Sequence, residues 1–191
     1  MRLLCFGDSN TYGYDPRSYF GSRYDDQTRW VDLLASKTGW DVINAGQNGR
    51  EIPRRVREFQ QFQQLLNLAV PVDALLIMLG DNDLLQGASV SAVTARMETF
   101  LTQLPPDCGK IILVSPPPLK PGTWISNPQT LEDVRSLAAC YQNLAERFGI
   151  HFISTLDWNL ELTFDGVHFS EKDHALFAEK LFTALTEDSI L

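Results

Sequence analysis

Short apolar runs separated by longer segments of helical period set the rhythm of this chain. Five of the runs predict strands, at residues 2–6, 41–45, 74–79, 110–114 and 151–154. The third, Ala-Leu-Leu-Ile-Met-Leu, and the fourth, Lys-Ile-Ile-Leu-Val, are nearly continuous in apolar residues, as suits central strands of a parallel sheet buried on both faces. Between the strands, apolar positions recur at threes and fours. Val90, Val93, Met97, Phe100 and Leu104 mark one helix, and Leu131, Val134, Ala138, Tyr141, Ala145 and Phe148 mark another. Further helices are expected at residues 30–37 and 56–66. A last one starts at a cap on Ser170, with Asp173 placed as in a capping box, and buries Ala175, Ala178, Phe182 and Leu185. Prolines 105, 106, 116, 117, 118, 121 and 128 punctuate the loops.

Strands that alternate with helices wind into an open parallel sheet with helices on both faces, because the crossovers share one hand. In such sheets ligands bind at the carboxyl ends of the strands. Every polar cluster of interest follows a strand: Gly7-Asp8-Ser9-Asn10 after the first, Asn44 to Gly49 after the second, Gly80-Asp81-Asn82-Asp83 after the third, and a stretch ending in Asp165-Gly166-Val167-His168 after the fifth. All four are expected on one rim.

Length and composition narrow the classes. The 191 residues fit a single domain spanning 1–191, and 44% hydrophobic with 21% charged residues is the balance of a soluble globular protein. Sixteen Lys and Arg against 24 Asp and Glu leave a net charge of −8, which argues against a nucleic-acid partner. Cys5, Cys108 and Cys140 are odd in number and widely spaced, so they read as small buried hydrophobes rather than a redox or zinc motif. The apolar run at the start is too short for a signal peptide, and no stretch approaches the ~20 apolar residues of a membrane span. The expectation is a reduced, cytoplasmic protein without a membrane partner.

A serine hydroxyl becomes a useful nucleophile only with a base in reach, and the base works best when a carboxylate orients it. Ser9, His168 and Asp165 supply the three types, and the i, i+3 spacing across Gly166 lets the last two point the same way. Gly7-Asp8-Ser9, Gly49, Gly80-x-Asn82-Asp83 and Asp165-x-x-His168 together resemble, in order, the four blocks of the SGNH hydrolases, also called GDSL esterases. The likeness runs from end to end, and Leu4 to Ser9, Ile77 to Gly80 and Val114 to Pro118 are similar to its arylesterase and acyltransferase branch.

That resemblance implies a three-layer α/β/α sandwich of flavodoxin type, with a five-stranded parallel sheet in the order 2-1-3-4-5. It implies Ser9 as nucleophile, His168 as general base and Asp165 as the orienting acid. The oxyanion hole would comprise the backbone N–H groups of Ser9 and Gly49 and the side-chain amide of Asn82, Gly49 allowing a close approach of backbone to substrate. The expected partner is a small-molecule ester, with no cofactor and no metal; the sequence leaves a homo-oligomer open. Loops over the rim suggest a substrate pocket walled by Tyr12, Trp124, Ile125, Phe164 and Val167, with Asn10 in place of the leucine common after the family serine.

The main expectation is a serine esterase of short acyl chains, with acyl transfer to an alcohol or removal of acetyl groups from carbohydrate as alternatives. A metallophosphoesterase would need several histidines in pairs, and only His151, His168 and His174 are present. A non-catalytic binding module on the same fold is the remote alternative. Blander roles are expected for several neighbours: Asp81 and Asp83 as helix caps or loop ties, His151 as structural, His174 as packed or solvent-facing, and Arg50, Arg54, Arg55 and Arg57 as a solvated helix face of which only Arg50 nears the rim.

Overall fold

The computed structural model describes residues 1–20, 22–187, 190 and 191. Its strands β1 (Arg2–Gly7), β2 (Asp41–Gly46), β3 (Ala74–Met78), β4 (Lys110–Val114) and β5 (His151–Ile153) form one parallel sheet in the order β2-β1-β3-β4-β5. β3 is central, fully buried along its length, with β1 and β4 beside it. Alternation along these strands sorts the core into two halves. Leu4, Phe6, Leu75, Ile77 and Leu113 point into one cluster; Leu3, Cys5, Leu76, Met78, Ile112 and Val114 point into the other.

Helices α3 (Val56–Ala69), α5 (Val90–Thr102) and α6 (Gln129–Phe148) close the first cluster through Phe62, Leu66, Met97, Phe100, Leu137 and Tyr141. On the second face, α2 (Trp30–Thr38) and α7 (Glu171–Glu187) contribute Trp30, Leu34, Phe177 and Leu181. This split follows from handedness: stepping from β1 to β2 and stepping from β2 across to β3 run in opposite directions, so right-handed crossovers put α2 and α3 on opposite faces. The expected fold and strand order are therefore observed.

Two elements went unforeseen, α1 (Ser9–Tyr12) and α4 (Asp81–Leu85), each about one turn long and each directly after a strand. α3 continues to Ala69, three residues past its expected end, and α6 runs from Gln129, just before Leu131, the first of its apolar positions. The capping box of α7 forms: Ser170 Oγ accepts from Asp173 N at 3.2 Å while Asp173 Oδ2 accepts from Ser170 N at 3.0 Å. Asp173 also takes the N–H groups of Glu161 and Leu162, so one buried carboxylate pins the approach to α7. Among the described residues no helix is long and apolar enough to cross a membrane.

His174 is packed, one of the two roles expected for it. Its Nδ1 accepts from Trp30 N at 3.3 Å, and its ring lies edge-on to Tyr24 and Phe169. Burial pushes its pKa down to about 3, against partial opposition from Asp173 and Glu171. A histidine neutral in the fold but ordinary when unfolded gives stability that is complete above its unfolded pKa and is lost as pH falls through it. Between pH 7.5 and 5 this should remove about 2 kcal/mol, read from denaturant midpoints. His174→Gln, whose side-chain oxygen can still accept from Trp30, should flatten that loss; an unchanged pH slope in the variant would refute the assignment.

Candidate active site

The sheet's carboxyl edge brings the polar clusters together, beginning with a tight turn from β1 into α1. Asp8 caps that helix, its Oδ1 accepting from Asn10 N at 2.8 Å, and Gly13, at φ +87°, ends it by donating to Ser9 O. One turn of helix thus presents Ser9, 5% exposed, at the end of an interior strand. Gly46 makes room for it, since a Cβ there would stand 2.1 Å from the backbone nitrogen of Tyr12. This tight contact of Gly46 lies within the protein and is distinct from the approach to substrate expected of Gly49. Gly49 is needed for its left-handed φ of +68°, and the space where a side chain would project is open.

From the other end of the chain, residues 163–168 fold back over this turn. Thr163 N donates to His168 O at 2.8 Å, closing the loop, and residues 120–124 zip against it through Lys120 N to Gly166 O and Trp124 N to Asp165 O. His168 Nε2 lies 2.9 Å from Ser9 Oγ, and His168 Nδ1 lies 2.7 Å from Asp165 Oδ2. Asp165 is fully buried and His168 2% exposed, so this series of hydrogen bonds is shielded from water.

Asp165 Oδ1 accepts from Thr163 Oγ1 at 2.8 Å, Val167 N at 2.9 Å and His168 N at 3.0 Å. Burial by itself would raise the carboxyl's pKa, but the His168 ring and these backbone donors outweigh it and hold the group well below the usual carboxylate range. An ionised Asp165 accepting at Oδ2 requires the imidazole proton on Nδ1, which leaves Nε2 free to accept from Ser9.

Around Ser9, the N–H groups of Ser9 and Gly49 donate to no protein oxygen among the described residues. Asn82, the second residue of α4, uses one amide hydrogen to hold Arg50 O at 3.2 Å, which orients its side chain. Asp83 steadies the same loop by accepting from Ile52 N at 3.0 Å and from Arg96 at 2.6 Å, a loop tie as expected. Arg50 points inward, bonding Gly7 O, Ala45 O and Gln47 Oε1 with its guanidinium over the Phe6 ring, whereas Arg54, Arg55 and Arg57 are exposed. Among the described residues no group of three His, Cys, Asp or Glu side chains is placed to hold a metal.

The expected pocket wall is largely relocated. Asn10 is 3% exposed, with Nδ2 donating to Val167 O and Oδ1 accepting from Phe169 N, both at 3.0 Å. It is a strut between the Ser9 turn and the His168 loop, so it does not set the polarity of a pocket. Val167 is buried in the first core cluster and Ile125 packs against it, while the Tyr12 ring lies under the Arg23 guanidinium. Only Trp124 and Phe164 stay substantially exposed, at 53% and 60%. Trp124 stands edge-on to the His168 ring at 4.9 Å, and Tyr14, missed in the sequence, flanks it at 4.7 Å. Its one legible signal was its place just beyond the Gly13 that ends α1. A cavity of about 590 Å³ opens beside Gly49, among Gln47, Glu51, Gln61, Phe62 and Leu65.

A serine, an imidazole and a carboxylate bonded in series on the rim of a parallel sheet is an arrangement of hydrolases that act through acyl transfer. The chain belongs to the GDSL-like lipase/acylhydrolase family, whose profile matches residues 5–176, and it is accordingly a hydrolase acting on esters. Among solved structures it is similar to the native M. smegmatis aryl esterase, with 26% identity over 100% of this chain and 99% of that one and a TM-score of 0.82. A putative arylesterase from Agrobacterium tumefaciens shares 25% identity over 97% and 98% of the two chains, with a TM-score of 0.84. Est24, a carbohydrate acetylesterase from Sinorhizobium meliloti, has the same fold at 24% identity, 97% and 98% coverage and a TM-score of 0.80. No curated protein matches the sequence.

Proposed function

We propose that the chain is a serine esterase of small carboxylic esters, working through an acyl enzyme on Ser9. The observation that carries this reading is the hydrogen-bonded series Ser9–His168–Asp165, at 2.9 and 2.7 Å. His168 Nε2 takes the Ser9 proton as Oγ attacks the ester carbonyl. The developing oxyanion is met by the Ser9 and Gly49 N–H groups and the Asn82 amide. His168 then returns its proton to the departing alcohol oxygen, which leaves the acyl group on Ser9. A water molecule, deprotonated by the same nitrogen, releases the acid by the reverse sequence.

Because the leaving oxygen must reach His168 Nε2, the alcohol half of the ester lies beside Tyr14 and Trp124. Two aromatic rings there suit a flat or ring-shaped alcohol, whether aryl or sugar, the two kinds named for the M. smegmatis aryl esterase and the Sinorhizobium meliloti carbohydrate acetylesterase. A nitrophenyl ester series of increasing acyl length, run with and without excess alcohol, tests the reading. The expected result is turnover greatest for acetyl or propionyl esters, with free acid as the main product. An ester of the alcohol as main product would make the chain an acyltransferase, and no turnover with any ester would overturn the proposal.

Loss of one oxyanion donor typically costs ~3–4 kcal/mol in the transition state and little in ground-state binding. Asn82→Ala should therefore lower kcat by about two to three decades with KM nearly unchanged. Steady-state kinetics on the preferred nitrophenyl ester checks it, and retention of most of the activity would move the hole elsewhere.

A further inference from the structure

β1 and β3 are neighbours, with Gly7 opposite Met78, so the residues that follow them emerge side by side. These are Asp8, one residue before Ser9, and Asp81, one residue before Asn82. Both are shut away from solvent, at 1% and 2% exposure, and their side chains are in hydrogen-bond contact. Each uses its Oδ1 on the local backbone. Asp8 accepts from Asn10 N at 2.8 Å and so caps the helix that carries Ser9; Asp81 accepts from Asn82 N at 2.9 Å. The pair therefore joins the turn that presents the candidate nucleophile to the residue that offers the candidate oxyanion donor.

Among the described residues neither carboxyl has a cation of its own. Arg50 attracts Asp8 from the β2–α3 loop, but its guanidinium is bonded to Gly7 O, Ala45 O and Gln47 Oε1. On α6 the Tyr141 hydroxyl donates to Leu79 O at 3.0 Å and not to Asp81. Asp83, on α4, is matched by Arg96 of α5. Two buried carboxylates cannot hydrogen-bond to each other unless one carries a proton.

We propose that Asp8 and Asp81 hold one shared proton, and that this bridge is a positioning device that keeps Ser9 and Asn82 at the spacing the oxyanion requires. The proposal rests on the esterase reading, since it acts through those two residues. Burial and the neighbouring Asp81 push the Asp8 carboxyl well above its ordinary range, against weaker opposing pulls from Asn10 N–H and Arg50. On this reading the bridge is intact at neutral pH. Removing its proton at higher pH leaves two carboxylates in contact, which drives the two turns apart.

The test is the pH profile of kcat and KM for a nitrophenyl acetate in the wild type, Asp81→Asn, Asp8→Asn and Asp81→Ala, with circular dichroism at each pH to confirm the fold. The wild type should lose kcat, not KM, on the alkaline side. In Asp81→Asn or Asp8→Asn an amide N–H replaces the shared proton permanently. That alkaline loss should then vanish, with neutral kcat falling less than about fivefold, whereas Asp81→Ala should lose at least about tenfold. Infrared difference spectra provide a readout that needs neither activity nor a folded variant: the wild type should show a protonated-carboxyl band at neutral pH that disappears on alkaline titration. An alkaline limb identical in wild type and Asp81→Asn, or no such band, overturns the bridge and leaves the esterase reading standing. A wild type that turns over no ester overturns both.

Discussion

Ser9→Ala is expected to abolish ester turnover while leaving the fold and substrate affinity in place. The hydroxyl makes one side-chain hydrogen bond, to His168 Nε2, and the residue is held by the backbone of a capped helical turn. Alanine suits a helix, so its removal should not disturb that turn. Without Oγ there is no acyl enzyme, and the remaining donors can only assist direct attack by water. In serine hydrolases such a loss is about 10⁶-fold in kcat, with KM changed little. Steady-state kinetics with nitrophenyl acetate, supported by melting curves of both proteins, measures it. A variant within tenfold of wild type would show that the ester is cleaved by something other than Ser9.

Asp165→Asn carries the second largest expected effect, and for a different reason. The substitution keeps the shape of the side chain and its Oδ1 contacts with Thr163, Val167 and His168 N–H. What changes is the group facing the ring. An amide nitrogen in place of Oδ2 donates to Nδ1, so the imidazole proton moves to Nε2, and Nε2 can no longer accept from Ser9. The stabilisation of the imidazolium by a buried negative charge goes as well. The expected loss is about 10⁴-fold in kcat. Asp165→Asn should still bind substrate, and a rise of activity toward high pH, where hydroxide can take the place of the base, would accompany the loss. Near-normal activity at neutral pH would remove Asp165 from the mechanism.

The parts of the molecule that read clearly from sequence are those governed by period and order. Ile77 and Leu113 alternate with Leu76 and Ile112 between the two cores, and the apolar steps of α5 and α6 needed no knowledge of the partner surface. Ser9, Asp165 and His168 stood out because each lies in a polar cluster that follows a strand, and the parallel sheet then brings opposite chain ends to one rim. One-turn helices escape this reading: α1 and α4 are too short to show a period, and their existence depends on a cap and a tight turn.

Asn10 escaped for a related reason. A polar residue beside a serine suggests contact with substrate, and nothing local reveals that both ends of its amide are taken by residues 157 and 159 positions away. The Asp8–Asp81 contact is more remote still, since it exists only because Gly7 and Met78 pair in register. Tyr14 becomes part of the site only when the His168 loop folds over it.

A Ser9 made nucleophilic by His168 and Asp165 can be caught by covalent trapping. The native protein is incubated with an organophosphonate ester, its residual activity followed, and the adduct located by intact mass and peptide mapping. The expected outcome is a single phosphonate on the peptide bearing Ser9, formed in step with loss of activity, absent from Ser9→Ala and strongly slowed in Asp165→Asn. Full inactivation with the label on another residue, or persistent activity with no adduct on Ser9, would contradict it.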